Sequence, residues 1–201
     1  MPDVYYISHP DVIKDPAVPV PRWPLSPRGR QRMTAMLARP WVNGLGAIYC
    51  SDEQKALDGA GILAAHLGLQ PQVRPALGEI DRSSTGYLPE AEHAVAARLL
   101  FERPEESVRG WETAHQAQAR IVRAVEAVVE TELSRKSSVS ASEADIAIVA
   151  HGAVGTLYLL HLLGEPIAFH HLQPGRDGGH YYCFDAATRV LRHEWLRIEP
   201  E

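Results

Sequence analysis

Apolar residues follow two rhythms along this chain. Unbroken runs of β-branched and aromatic residues, Val4-Tyr5-Tyr6-Ile7, Ala47-Ile48-Tyr49-Cys50 and Asp145-Ile146-Ala147-Ile148-Val149-Ala150, predict short buried strands. Longer stretches carry apolar residues at helical spacing. Ser26-Pro27 opens one helix, with Ser26 as N-cap, and Arg39-Pro40 closes it. Ser51 and Gln54, three residues apart, have the spacing of a capping box for a helix over 52–67 that ends at Gly68. Residues 91–101 and 111–133 read as helices, the second with Ile121, Val125, Val128 and Val129 on one face. A helix over 153–163 closes at Gly164. A short strand is expected over 73–76, and a hairpin-like pair around Tyr181–Phe184 and Val190–Trp195 follows the glycine-rich turn 175–179. Residues 15–24, with four prolines, and 77–89 read as loops, and the polar stretch 134–143 as a surface connection.

Strands alternating with helices predict an α/β fold, a three-layer α/β/α arrangement around a mostly parallel central sheet, in a single domain over 1–201. Ligands of such sheets bind beyond the carboxyl ends of the strands. Three strands here end in polar residues, at Ser8-His9, Ser51 and His151-Gly152, so these are expected to converge on one sheet edge. Histidine serves as a nucleophile or proton carrier near neutral pH. The helix after His151 points its free N–H groups and positive dipole end toward the same place, which suits an anion, and Gly152 lets backbone approach closely.

Composition narrows the reading further. At 201 residues, 45% hydrophobic and 22% charged, the chain can bury a real core. A net charge of −5 without a basic run gives nucleic acid no electrostatic footprint. No apolar stretch reaches membrane-spanning length and no signal peptide is evident, which points to a cytoplasmic protein. Cys50 and Cys183 make no disulfide framework and read as buried thiols. Oligomeric state leaves no trace in the sequence.

The segments VYYISHPDV (4–12), WPLSPRGRQ (23–31), IYCSDEQKALDGAGILAAHLG (48–68), ALGEIDRSSTGY (76–87) and IAIVAHGAVGTLYLLHLLG (146–164) occur in an order that resembles the histidine phosphatase, or phosphoglycerate-mutase-like, superfamily. That resemblance implies a phosphoryl-accepting His9, a second pocket histidine at His151, and Glu79 as the acid that protonates the leaving oxygen. The substrate would be a small phosphorylated metabolite, with no cofactor required. Three positions depart from the family pattern: Ser8 and Lys55 stand where arginines are expected, and Pro10 replaces a glycine. Lysine is a point charge rather than a two-pronged donor. Arg82, three residues after Glu79, is the expected replacement and with Lys55 would bind phosphate beside Gly152; its alternatives are pairing with Asp81 or lying in solvent. Asp81 is also the rival to Glu79 as acid.

The competing function is a non-catalytic phosphate-binding or regulatory protein that retains the fold. No metal site is expected. His170-His171 and His180 flank the glycine-rich turn, but adjacent histidines on a strand point opposite ways and no HExxH spacing occurs.

Overall fold

The computed structural model describes residues 2–138, 144–175 and 177–200, with side chains at all of these except 136–138. Among these residues, six strands form one sheet: β1 (Asp3–Ser8), β2 (Leu45–Cys50), β3 (Gln72–Val73), β4 (Asp145–Ala150), β5 (His180–Asp185) and β6 (Leu191–Arg197). Their order is β3-β2-β4-β1-β5-β6. The first four in that order run parallel, whereas β5 and β6 are antiparallel to their neighbours. The mostly parallel sheet and the terminal hairpin both match the sequence pattern.

Among the described residues, five α-helices cover the sheet: α1 (Pro27–Met36), α2 (Gln54–Leu67), α3 (Glu90–Glu102), α4 (Ala114–Ser138) and α5 (Gly152–Leu163). Alternation along each strand divides the core in two. Val4, Tyr6, Tyr49, Ile146, Ile148, Tyr182 and Phe184 pack with α3, α4 and α5. Tyr5, Ile7, Ile48, Cys50, Ala147, Val149 and Cys183 pack with α1 and α2. The α4 face Ile121, Val125, Val128 and Val129 is buried as its spacing requires.

Helix ends explain most differences from the sequence reading. Ser26 caps α1 by accepting from Gly29 N–H at 3.0 Å, and Gly68 and Gly164 close α2 and α5 at φ 68°. Helix α1 stops at Met36, three residues early, and a 3₁₀ turn from Pro40 to Gly44 leads into β2. The capping box is not at Ser51 and Gln54: α2 begins at Gln54 behind Glu53, with no side-chain cap. It lies at the start of α4, where the Thr113 hydroxyl accepts from Gln116 N–H and Gln116 Oε1 accepts from Thr113 N–H, each at 3.1 Å. Trp111, expected inside that helix, is a buried loop residue ahead of it. Within the 134–143 connection, 134–138 belong to α4 and 139–143 lie outside the described residues. No helix among the described residues is long and apolar enough to cross a membrane.

Candidate active site

β1 and β4 are adjacent and parallel, so the residues that follow them emerge side by side. His9 continues the ladder by one hydrogen bond, from its N–H to the Ala150 carbonyl at 3.0 Å. The rings of His9 and His151 lie edge to face with centroids 5.2 Å apart. Nδ1 of His9 lies 2.9 Å from the Pro10 carbonyl, which can only accept, so Nδ1 carries the proton and Nε2 is left with its lone pair. Burial, reinforced by the Lys55 charge, pushes the His9 imidazole down to about 4 and keeps it neutral at physiological pH.

His151 is fully buried. Its Nε2 sits 2.7 Å from the Ser51 hydroxyl and 3.4 Å from a Glu53 carboxylate oxygen. Burial holds its pKa well below the usual value, against the pull of Glu53. Nδ1 of His151 has no hydrogen-bond partner among the described residues, so the ring keeps one nitrogen in reserve. Ser51, whose spacing suggested a cap, is occupied by this histidine.

The two cations expected to bind phosphate are in different states. Lys55 is buried, donates to the Val20 carbonyl at 3.0 Å, and forms a short ion pair with Glu53. Burial by itself would raise the Glu53 carboxyl, but His151 and Lys55 outweigh it and hold the group down at about 2. Arg82 lines the same cavity, and its guanidinium makes no hydrogen bond or ion pair among the described residues. Burial lowers its pKa, with Glu79 and Glu53 as the nearest compensating charges. It does not pair with Asp81, which instead accepts from Ser83 N–H at 2.9 Å in an exposed turn.

Glu79 is brought to the site by its backbone. Its N–H donates to Glu53 at 2.8 Å, and Arg120 on α4 binds the Glu79 carbonyl at 3.1 Å. The carboxylate accepts from Ile80 N–H at 3.0 Å and from Ala153 and Val154 N–H at 3.2 Å each. Burial nonetheless raises its pKa, while local N–H donation lowers that of Asp81. The first N–H groups of α5, expected to face an anion, are therefore taken by Glu79.

Gly152 permits a close approach, but by a side chain. A Cβ there would lie 2.2 Å from Nε2 of Gln173. Gln173 Oε1 accepts from the Ser8 hydroxyl at 2.6 Å, so the residue in the family's arginine position anchors an uncharged amide over Gly152. Gln173 and Glu53 are site residues the sequence reading missed. Glu53 had a faint signal in lying two residues from both Ser51 and Lys55, whereas Gln173 had none.

His9, Lys55, Glu79, Arg82, Gly152 and Gln173 line a cavity of about 530 Å³, with His151 buried against the His9 ring rather than exposed in it. Its outer wall is largely apolar, with Trp23, Tyr87, Trp111, Leu100 and Phe101. Trp23 and Tyr87 approach to 5.7 Å between ring centroids. His93 on α3 also lines the wall; burial and then Arg82 push it down to about 4.

Comparison with known proteins matches this architecture. The sequence profile of the histidine phosphatase superfamily (branch 1) matches residues 20–183, a span that begins after β1 and His9. The mycobacterial glucosyl-3-phosphoglycerate phosphatase, solved with inorganic phosphate, has a similar fold with TM-score 0.77 and 20% identity, over 100% of both chains. Phosphoserine phosphatase from Entamoeba histolytica, in complex with 3-phosphoglyceric acid, superposes with TM-score 0.74 at 16% identity over 98% of each chain. Bacillus stearothermophilus YhfR gives TM-score 0.73 at 18% identity, covering 100% of this chain and 98% of the other. A comparison with curated proteins gave no significant match. The profile match over most of the chain, on a sheet of the same architecture, establishes that this chain belongs to the histidine phosphatase superfamily.

Proposed function

We propose that this chain hydrolyses a small phosphomonoester through a phosphohistidine on His9. The observation that carries the reading is the neutral His9 ring on the cavity wall, fixed through Nδ1 on the Pro10 carbonyl and packed 5.2 Å from the buried His151 ring. Nε2 attacks phosphorus in line, forming the N–P bond as the ester P–O bond breaks. Glu79, whose carboxyl is raised by burial, delivers its proton to the leaving oxygen. Its Oε2 accepts a single N–H and has room for that proton. The carboxylate then takes a proton from water, which attacks the phosphohistidine and releases phosphate.

Arg82 supplies the mobile positive charge over the transferring oxygens. Gln173 contacts them through its amide, while the buried His151 packs edge to face on the His9 ring. Lys55 acts indirectly, holding Glu53 and through it His151 and the Glu79 backbone. Relatives that act on glucosyl-3-phosphoglycerate and phosphoserine support a small phosphorylated metabolite as substrate, and the aromatic wall favours one with an apolar portion.

A non-catalytic phosphate binder is the second reading, and one observation favours it. Lys55 is neutralised by Glu53, which leaves Arg82 and Lys14 as the cavity's only arginine or lysine side chains without an ion pair among the described residues. Turnover of p-nitrophenyl phosphate, with rapid acid quenching of the labelled enzyme, separates the two. A phosphatase yields an acid-labile phosphoenzyme that disappears in His9→Ala. Binding of vanadate without turnover by the wild type would establish the binder.

A further inference from the structure

The segment after α5 holds a second cluster, outside the lining of the phosphate pocket. The chain leaves the Gly164 cap at Glu165, and His170 and His171 fold back over that carboxylate. The two histidines do not alternate on a strand, because His171 takes a left-handed backbone with φ 52°. The turn puts both rings on one side: His170 Nε2 lies 2.6 Å and His171 Nε2 3.3 Å from the same Glu165 oxygen. One ligand atom from each of the three residues falls within 4.8 Å of the other two.

We propose that Glu165, His170 and His171 form a binding site for a divalent transition-metal ion, of which Zn²⁺ is the best fit. Tetrahedral Zn²⁺ with bonds of about 2.0–2.2 Å sets its ligand atoms about 3.3 Å apart. The His171–Glu165 separation is 3.3 Å, and the His170–Glu165 separation of 2.6 Å opens to that value by a small rotation of surface side chains. A second feature distinguishes the cluster from chance ion pairing. Nδ1 of His171 lies 2.7 Å from Glu194 on β6, so its proton is fixed there and Nε2 is the nitrogen presented to the ion. A carboxylate on the far nitrogen is the arrangement that orients metal-bound histidines and raises their basicity. The Trp195 indole N–H further pins the backbone, donating to the His171 carbonyl at 3.0 Å. Two nitrogens and one carboxylate oxygen suit Zn²⁺ far better than Mg²⁺ or Ca²⁺, and water completes the fourth position.

The site's position suggests what the ion does. Phe169 packs edge-on against Phe101 of the cavity wall, with centroids 6.1 Å apart, and Gln173 lies two residues beyond His171. An ion joining Glu165 to both histidines therefore clamps the segment that carries Gln173 to the pocket. The inference is independent of the phosphatase reading, since it needs no turnover.

Calorimetric titration of the full chain with Zn²⁺ in a non-chelating buffer near pH 7.5 tests it, with Co²⁺ absorbance as a spectroscopic check. The expected result is one ion per chain, a raised Tm, and visible Co²⁺ bands displaced by Zn²⁺. His170→Ala and His171→Ala should each abolish stoichiometric binding, and Glu194→Gln should weaken it by about 10–100-fold. His9→Gln should bind as the wild type does. Absence of saturable one-to-one binding, or its survival in both histidine variants, overturns the proposal.

Discussion

The hydroxyl of Ser8 donates to Oε1 of Gln173 at 2.6 Å, joining the end of the first strand to a loop 165 residues further on. Gln173 in turn occupies the space above Gly152 that a Cβ would fill. A neutral amide thus stands where a guanidinium was expected. A neutral hydrogen bond is worth about 0.5–1.5 kcal/mol, so Gln173→Ala should weaken vanadate inhibition by roughly three- to tenfold. Gly152→Ala should expel the amide and cost a similar factor. The double variant should be no worse than Gly152→Ala; additive losses would show that the two residues act separately.

Arg82 should carry much of the affinity for the phosphoryl group. Charged hydrogen bonds contribute about 1.5–3 kcal/mol, so Arg82→Ala should weaken vanadate binding by about 10–100-fold, with Arg82→Lys recovering part. Unchanged affinity in Arg82→Ala would assign this residue to the cavity rim.

Lys55 should behave as a structural residue. Removing one member of a buried pair typically costs about 3–5 kcal/mol, because the other charge is stranded. Lys55→Met should lower unfolding stability by that amount, while Lys55→Met combined with Glu53→Leu should recover most of it. Urea denaturation of the three proteins measures this. If Lys55→Met is as stable as the wild type, the Glu53 pair is not what holds the lysine.

A proton donor reveals itself through the leaving group. General acids typically contribute about 10²–10⁴-fold. Glu79→Gln should therefore slow alkyl phosphates severely and spare p-nitrophenyl phosphate, whose phenolate departs unaided. Asp81→Asn should slow neither, since Asp81 is exposed and bound to Ser83. The pattern appearing in Asp81→Asn instead would move the role to that residue.

Acid should unfold the protein early. Burial holds His9 and His93 down at about 4, and His151 well below its usual value, whereas the unfolded chain binds these protons near pH 6.5. Depressed folded-state values mean that stability is complete above pH 6.5 and declines as the pH falls toward 4. Each histidine adds a slope of up to about 1.4 kcal/mol per pH unit. Glu53, held at about 2, extends the loss below pH 4.5. Urea midpoints from pH 7 to 5 should fall steeply, and His93→Gln should flatten the curve by about one proton.

What the sequence made legible was whatever a local pattern governs. β1, β2 and β4 followed from their runs of β-branched and aromatic residues, and the meeting of His9 and His151 followed from parallel strands sharing an edge. Ser26 and Pro27 marked the start of α1 because a cap is a contact over three residues. Long-range competition for the same atoms was not legible. Ser51 had the spacing of a cap but was claimed by His151, 100 residues away. The N–H groups of α5 were claimed by Glu79, 74 and 75 residues away. Gln173 lay in a segment without periodicity, and the facing of His170 and His171 depended on one left-handed residue.

The two flanks of β1 run in opposite senses, and the pocket inherits that asymmetry. On the β4 side, the walls are short turns leaving parallel strands, and each opens a helix packed into the core. On the β5 side, the wall is chain arriving at an antiparallel strand, with Gln173 and Gly178 ahead of His180. The arriving segment joins the sheet at its end, where Gly179 N–H donates to the His9 carbonyl at 3.2 Å and β5 then pairs with β1. Insertions in the arriving segment cost a closure entropy that grows with the logarithm of its length. Substrate choice can therefore diverge through that segment while the histidine pair stays fixed in the sheet.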